Sequence, residues 1–303
     1  MEEIRGIDMM NYPDAAGFDK EFIFDFKEYQ VMCSGTFKTI FKGHIPNREE
    51  YKKIRDQGFM KINASPEELV AEMDAAGFDY VVLSDMKMWS PRYHHQLIYG
   101  ADMTVDILGE IVARGRGRII GGAGYNPFKI SESLRDIERG VKEYGFKYAY
   151  MHPITFGIAA NDKKCYPLYA KCMDLGISVG MQVGHSAEPL PSDVGRPMYV
   201  DEVAIDFPDL KINLSHTGYP WIDEWCSMLW RHNNVYGDIS AYNPAHLEPA
   251  TINFIKGRGQ DKVMFGTNGF GLGSMKNAFL SLDIKDSIRK KVLRDNALVF
   301  LGL

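Results

Sequence analysis

The chain has 303 residues, 45% of them hydrophobic and 25% charged, the composition of a globular protein. A net charge of −5 leaves no basic stripe for a phosphate backbone, so nucleic acid is not an expected partner. No apolar run approaches the ~20 residues that span a bilayer, and Met1-Glu2-Glu3-Ile4-Arg5 lacks the apolar core of a signal peptide. A soluble, cytoplasmic protein with no membrane partner is expected. Cys33, Cys165, Cys172 and Cys226 are scattered without a CxxC pair and read as reduced packing thiols.

The first strand reads as Ile4–Met9. Residues 13–63 follow, with Phe18, Phe22, Phe24, Phe26, Tyr29, Phe37 and Phe41 but no sustained helical period. Structureless loops of that length are rare inside compact domains, so this stretch is expected to be an inserted segment or lid. Ser65-Pro66-Glu67-Glu68 is a capping box with proline at the first helical position, and Gly77 ends the helix it opens. Phe78–Ser84 is a nearly continuous apolar run, as suits a strand buried on both faces.

Six more helix-then-strand units follow. Their helices are predicted over Thr104–Ala113, Glu132–Tyr144, Lys163–Asp174, Met198–Asp206, Trp221–Arg231 and Pro249–Lys256. The matching strands are Arg118–Gly124, Phe146–Met151, Ile177–Val183, Leu210–Ser215, Val235–Ser240 and Lys262–Gly266. Final helices run from about Ser274 to the end. Eight strands, each followed by a helix, predict one α/β domain, a (β/α)8 TIM barrel over residues 1–303 with an insertion after strand 1. A doubly wound open sheet is the alternative.

Catalytic groups of such barrels sit at the C-terminal ends of strands and in the loops beyond. That rule nominates Met10, Tyr12, Ser84, Asp85, Tyr125, Asn126, His152, Gln182, His185, His216, Ser240 and Asn268. Each also has a plainer reading. His152-Pro153 could simply end its strand, His185 could be a surface residue, and His216 could be a buried structural histidine. The segment from Asp85 to His95 is rich in cations and aromatics. It reads either as a solvated loop or as a substrate-binding flap, with Lys87 or Arg92 pairing a carboxylate and Trp89 stacking on a ring. Arg196 is a further anion-binding candidate. Met9, Met10, Met151 and Met181 fall near the predicted mouth, where Met10 implies apolar surroundings.

Five strand ends carry a resemblance: Ile7-Asp8-Met9-Met10-Asn11-Tyr12, His152-Pro153, Met181-Gln182-Val183-Gly184, Ser215-His216-Thr217-Gly218 and Phe265-Gly266-Thr267-Asn268. Phe207-Pro208-Asp209-Leu210-Lys211-Ile212 and Asn234-Val235-Tyr236 match as well, as do Asp223 and the closing Asp295-Asn296-Ala297. Together they resemble the amidohydrolase-related family across nearly the whole chain outside the insertion. That family includes C–N and C–O hydrolases, non-oxidative decarboxylases such as aminocarboxymuconate-semialdehyde decarboxylase, and a pyrone-dicarboxylate lactonase able to work without a metal.

The resemblance implies a divalent ion, commonly zinc or manganese, held by a His pair on strand 1, a later His and an Asp on the last strand. Met10, Tyr12, Gln182 and Asn268 stand at those four places. A thioether is a poor partner for zinc or manganese, the Tyr12 phenol has an intrinsic pKa of about 10, and the two amides offer only neutral oxygens. No cofactor is therefore expected. A non-standard divalent site would need His152, His185, His216 and Asp85 to converge. His216, which matches the family's active-site histidine, is the predicted acid–base group, with Asn268, Gln182 and Tyr12 as polar orienters.

The expected substrate is a small carboxylated organic acid, cyclic in form, lined by Met10, Asp85, Lys87, Trp89, Arg92, Tyr125, His152, His185 and Arg196. A homodimer is the one assembly considered. Three functions compete: a metal-independent hydrolase such as a lactonase, a decarboxylase or other lyase, and a non-catalytic binding barrel. An oxyanion pocket beside His216 would favour the first, an apolar pocket around a carboxylate the second, and a filled mouth the third.

Overall fold

The computed structural model describes residues 4–13, 22–36, 42, 44–54, 63–98 and 103–303. Its strands are β1 (Gly6–Asn11), β2 (Phe78–Ser84), β3 (Met88–Ser90), β4 (His95–Ile98), β5 (Ile119–Gly124), β6 (Tyr148–Met151), β7 (Ser178–Gln182), β8 (Ile212–Ser215), β9 (Val235–Asp238) and β10 (Val263–Met264). All but β3 and β4 pair in parallel, in the order β1-β2-β5-β6-β7-β8-β9-β10. The two ends of this sheet then meet. Met9 donates its N–H to the Phe265 carbonyl (3.0 Å), and Asn268 donates to the Met10 carbonyl (2.8 Å). A parallel sheet that returns to its first strand is a barrel, so the (β/α)8 expectation holds.

The helices are α1 (Lys27–Thr36), α2 (Arg48–Ile54), α3 (Pro66–Ala76), α4 (Val105–Arg114), α5 (Ile130–Tyr144), α6 (Pro153–Phe156), α7 (Tyr166–Leu175), α8 (Val200–Asp206), α9 (Ile222–Arg231), α10 (Pro249–Lys256), α11 (Leu272–Leu280), α12 (Asp286–Lys290) and α13 (Asn296–Leu301). α3 shows why the barrel's outer layer forms where it does. The Ser65 hydroxyl accepts the Glu68 N–H at 3.2 Å, and the Glu68 carboxylate accepts the Ala64 N–H at 3.1 Å. Gly77, at φ 69°, takes the left-handed turn that stops the helix. Between those signals Leu69, Val70 and Met73 are buried on the core side, each worth roughly 1.5–3 kcal/mol of apolar transfer. Helices therefore cover the outside of the strands. Within the barrel, a Cβ on Gly180 would fall 1.5 Å from the Tyr148 hydroxyl, so β7 needs glycine there for that ring to lie inside.

Two segments differ from the simple repeat. The segment after β2 is no irregular loop, because β3 and β4 pair in an antiparallel hairpin. Within residues 13–63, the described parts are a 3₁₀ turn (Phe22–Asp25), α1 and α2, whereas Phe18, Phe37 and Phe41 lie outside the described residues. Ile23, Phe24, Tyr29 and Cys33 make a small core of their own. It is joined to the barrel through Phe26, which stacks on Tyr93 of the hairpin turn at 4.3 Å. No helix among the described residues is long and apolar enough to cross a membrane.

Candidate active site

The ends of β1, β6, β7 and β8, with the loops after β7, β9 and β10, surround a cavity of about 350 Å³. It brings together Met10, Tyr12, His152, Gln182, His185, His216 and Asn268, the core of the sequence-derived set. Met86, Met88, Ile98 and Phe270 make much of its wall apolar. Three residues lining it have left-handed backbone: His216 (φ 76°), Ala241 (φ 67°) and Asn268 (φ 54°). Such conformations are uncommon for L-residues and cost ~1–3 kcal/mol each, so the fold spends stability to aim these side chains.

His216 is set by a chain of hydrogen bonds that begins at Asp238. This aspartate, wholly buried at the end of β9, accepts from Asn213 Nδ2 (2.7 Å), Ser215 Oγ (2.8 Å), the Ser240 N–H (3.0 Å) and the Ser240 hydroxyl. A hydroxyl has one proton to give. Because Ser240 gives it to Asp238, its oxygen accepts from the His216 ring, whose Nδ1 lies 2.7 Å away. The imidazole therefore carries its proton on Nδ1 and holds a lone pair on Nε2. Burial pushes its pKa below the usual value, while the charge of Asp238 pulls it back. The lowered pKa favours a neutral imidazole, with its Nε2 lone pair unprotonated.

His152 has the opposite tautomer. It caps α6, and its Nδ1 accepts the Thr155 N–H at 3.3 Å, so the proton sits on Nε2. Burial, and then the neighbouring His216, push its pKa down to about 3, which keeps it a neutral donor. Across from it stands Glu188, whose Oε2 lies 4.0 Å from His152 Nε2 and whose side chain is 11% exposed. Burial raises that carboxyl to about 7. At the β1–β10 side, Tyr12 donates its hydroxyl to Asn268 Oδ1 at 2.9 Å, which leaves the Asn268 amide N–H groups as donors. Gln182 donates Nε2 to the His185 carbonyl at 2.9 Å, leaving its oxygen as an acceptor. His185 itself is exposed at the rim, with Nδ1 3.0 Å from Ser192 Oγ.

Other expected site residues lie elsewhere. Asp85 is buried, pairs Lys87 Nζ at 2.8 Å and accepts the Gly124 N–H. Lys87 and Trp89 face a separate lateral cavity of about 690 Å³ with Asn126, Phe128 and Asp136, beside the hairpin. That space is the larger of the two, but no histidine lines it. Tyr125 is fully buried and donates to the Lys164 carbonyl (2.5 Å). Arg196 is held by Glu224 and lies over the Trp221 ring (5.7 Å), and Arg92 is exposed beside Tyr93. The three cations expected to anchor a carboxylate are thus outside the mouth cavity, because carboxylates or solvent already satisfy them. Two important groups were not foreseen, Asp238 and Glu188. Asp238 could have been found, since it precedes Ser240 by two residues and so shares its side of the strand.

The divalent ion that the sequence resemblance implies does not fit these residues. Met10 offers only a thioether, Gln182 only a neutral amide oxygen, and Asn268 Oδ1 is already taken by the Tyr12 hydroxyl. Asp85, needed for a non-standard site, is turned toward Lys87. Among the described residues, no three His, Cys, Asp or Glu side chains come together as a metal site.

The eight parallel strands and the histidine-lined cavity at their ends place the chain among the (β/α)8 barrels. The amidohydrolase family model matches residues 42–303, and the chain belongs to that family. No curated protein matches it. Among solved structures, an uncharacterised TIM-barrel protein from Bordetella bronchiseptica is 24% identical, with a TM-score of 0.72 over 98% of both chains. A 5-carboxyvanillate decarboxylase from Novosphingobium aromaticivorans, with manganese and a nitrobenzoic acid bound, is 18% identical, with a TM-score of 0.67 over 99% of this chain and 97% of its own. A probable 2-pyrone-4,6-dicarboxylic acid hydrolase from Acinetobacter baumannii is 12% identical, with a TM-score of 0.59 over 99% of this chain and all of its own. At such identities the likeness is one of fold.

Proposed function

We propose that this protein is a metal-independent hydrolase of small cyclic carbonyl compounds, a lactonase in its simplest form, with His216 as general base. The observation that carries this reading is the Asp238–Ser240–His216 chain opening on a mouth cavity. A base with a fixed tautomer can take the proton of an attacking water, a contribution of about 10²–10⁴-fold to rate. In this reading the Asn268 amide orients the bound molecule, and Gln182 and Tyr12 hold the surrounding geometry. The open cavity speaks against a barrel that has lost its site.

The substrate expectation changes in one respect. With Lys87, Arg92 and Arg196 outside the cavity, a substrate carboxylate would meet neutral donors rather than a cation, so the reacting carbonyl, not a carboxylate anchor, defines the ligand. Decarboxylation is the second reading. The apolar wall of Met10, Met86, Met88 and Phe270 favours it, because desolvating a carboxylate raises its energy relative to neutral carbon dioxide. The test is hydrolysis of dihydrocoumarin by chelator-treated protein and by His216→Asn. Chelation is expected to change nothing, and the variant to lose about 10²–10⁴-fold in kcat. Activity abolished by chelation and restored by zinc or manganese, or an unaffected variant, would overturn this reading. Carbon dioxide release from a hydroxybenzoate with the lactone untouched would favour the second.

A further inference from the structure

One carboxyl group of the cavity takes no part in the chemistry so far. Glu188 lies in the loop after β7, and that loop is tied down on both sides. Gly184 N–H bonds the Gly195 carbonyl (2.8 Å), His185 N–H the Tyr219 carbonyl (2.7 Å) and Leu190 N–H the Glu188 carbonyl (2.8 Å). The Tyr93 hydroxyl, itself under Phe26, bonds the Pro189 carbonyl at 3.2 Å. The Glu188 side chain is thus delivered to the cavity by a built loop.

Its titratable neighbours are His152 across the cavity and Cys33 from α1, whose thiol is raised first by burial and also by the charge of Glu188. His216 in turn faces His152. No Lys or Arg is among the described residues lining the cavity. A carboxyl so enclosed, without a cation, favours its protonated form, in line with its rise to about 7. The 4.0 Å between Glu188 Oε2 and His152 Nε2 is too long for a direct hydrogen bond. A single oxygen atom set beside that gap can reach both.

Resting on the hydrolase reading above, we propose that His152 and Glu188 form an oxyanion-binding pair, in which an imidazole N–H and a carboxylic O–H receive the carbonyl oxygen of the bound molecule. Such a pair supplies the electrophile that the replaced ligand positions no longer provide. In the step that follows, His216 Nε2 takes a proton from water as the water oxygen bonds to the carbonyl carbon. The C=O electron pair moves onto the oxygen held by His152 and Glu188, and both donors keep their protons. Collapse reforms C=O and expels the ring oxygen, which takes the proton back from His216. Atoms, charge and protons balance without a co-reactant. Donors preorganised at a developing oxyanion act in the transition state rather than on the bound ground state.

The experiment has two arms. Difference infrared spectroscopy of wild type against Glu188→Gln reads the carboxyl directly in the free protein. A protonated-carboxyl stretch present at pH 6 and lost as pH rises past about 7 is expected. A Glu188 already ionised at pH 6 overturns the pair. With dihydrocoumarin as the probe, Glu188→Ala and His152→Phe are each expected to lower kcat by roughly 10²-fold with little change in KM, and Glu188→Gln, which keeps a donor, to recover part of it. If His216→Asn impairs turnover while the Glu188 and His152 variants are silent, the pair fails and the hydrolase reading stands. If His216→Asn is silent as well, the hydrolase reading fails with it.

Discussion

Two aspartates lie wholly buried on strands separated only by β10, Asp8 on β1 and Asp238 on β9, and both are saturated with hydrogen bonds, yet their donor networks lead to different places. Asp8 on β1 accepts from the Met10 N–H (3.2 Å), the Thr267 N–H (2.7 Å), Asn11 Nδ2 (2.9 Å) and Thr267 Oγ1 (2.7 Å). Every donor belongs to the ends of β1 and β10, so Asp8 clasps the seam that closes the barrel. Asp238 has a similar set of donors, but one of them is a hydroxyl that continues to an imidazole. What separates the two carboxylates is the group beyond the hydroxyl: backbone and amide for Asp8, an imidazole at the cavity for Asp238. Both sets include a hydroxyl, but that of Thr267 leads on only to the Gly269 N–H and the Asn11 amide, whereas that of Ser240 meets a titratable imidazole.

The largest effect that would sharpen this contrast is expected at the clasp. Asp8→Ala leaves several buried donors without an acceptor, and should lower the free energy of unfolding by about 3 kcal/mol, measured by denaturant titration. His216→Asn should leave that midpoint nearly unchanged, since its relay sits at a strand end rather than on the seam. A clasp variant as stable as wild type would erase the distinction.

The side with the two histidines should also show the pH response. His152 falls from 6.5 unfolded to about 3 folded, so its contribution is whole above pH 6.5 and is lost as pH falls toward 3. Between pH 7 and pH 5 the stability of wild type relative to His152→Gln should therefore drop by about 2 kcal/mol, at ~1.4 kcal/mol per pH unit. A pH-independent difference would mean that His152 titrates normally.

The smallest effect is expected at the relay itself. Ser240→Ala removes one charge-assisted bond, worth ~1.5 kcal/mol, and should lower kcat on dihydrocoumarin roughly tenfold while raising the optimum of His216-dependent activity little. A Ser240→Ala enzyme with full turnover would reduce the relay to a structural network.

Much of this was legible in the chain. The Ser65 box, the Gly77 stop and the continuous apolar run of β2 are local signals, and all fell within a residue or two of where they were expected. The strand-end rule also gathered His152, Gln182, His216 and Asn268 correctly around one cavity, because register in a parallel barrel places successive strand ends together. Asp85 and Tyr125 from the same rule, and Lys87 from the composition of its segment, fall outside that cavity, since Asp85 and Lys87 pair with each other and Tyr125 turns to the Lys164 carbonyl, which periodicity does not encode. Glu188 sits in an irregular loop between Ala187 and Pro189, and its nearness to His152 depends wholly on tertiary contacts. Asp8 stood inside the first motif, but its clasp to Thr267 spans 259 positions and could not be read locally.

The tautomer of His216 is the most direct test of the relay, because it can be observed in the resting protein without any substrate. With ¹⁵N-labelled histidine and long-range ¹H–¹⁵N correlation at neutral pH, His216 is expected to show a protonated Nδ1 and an unprotonated, pyridine-like Nε2, and Ser240→Ala should mix the two forms. A wild-type His216 with its proton on Nε2, unmoved by Ser240→Ala, would mean that Asp238 does not reach the imidazole through Ser240 and that the base has been assigned to the wrong nitrogen.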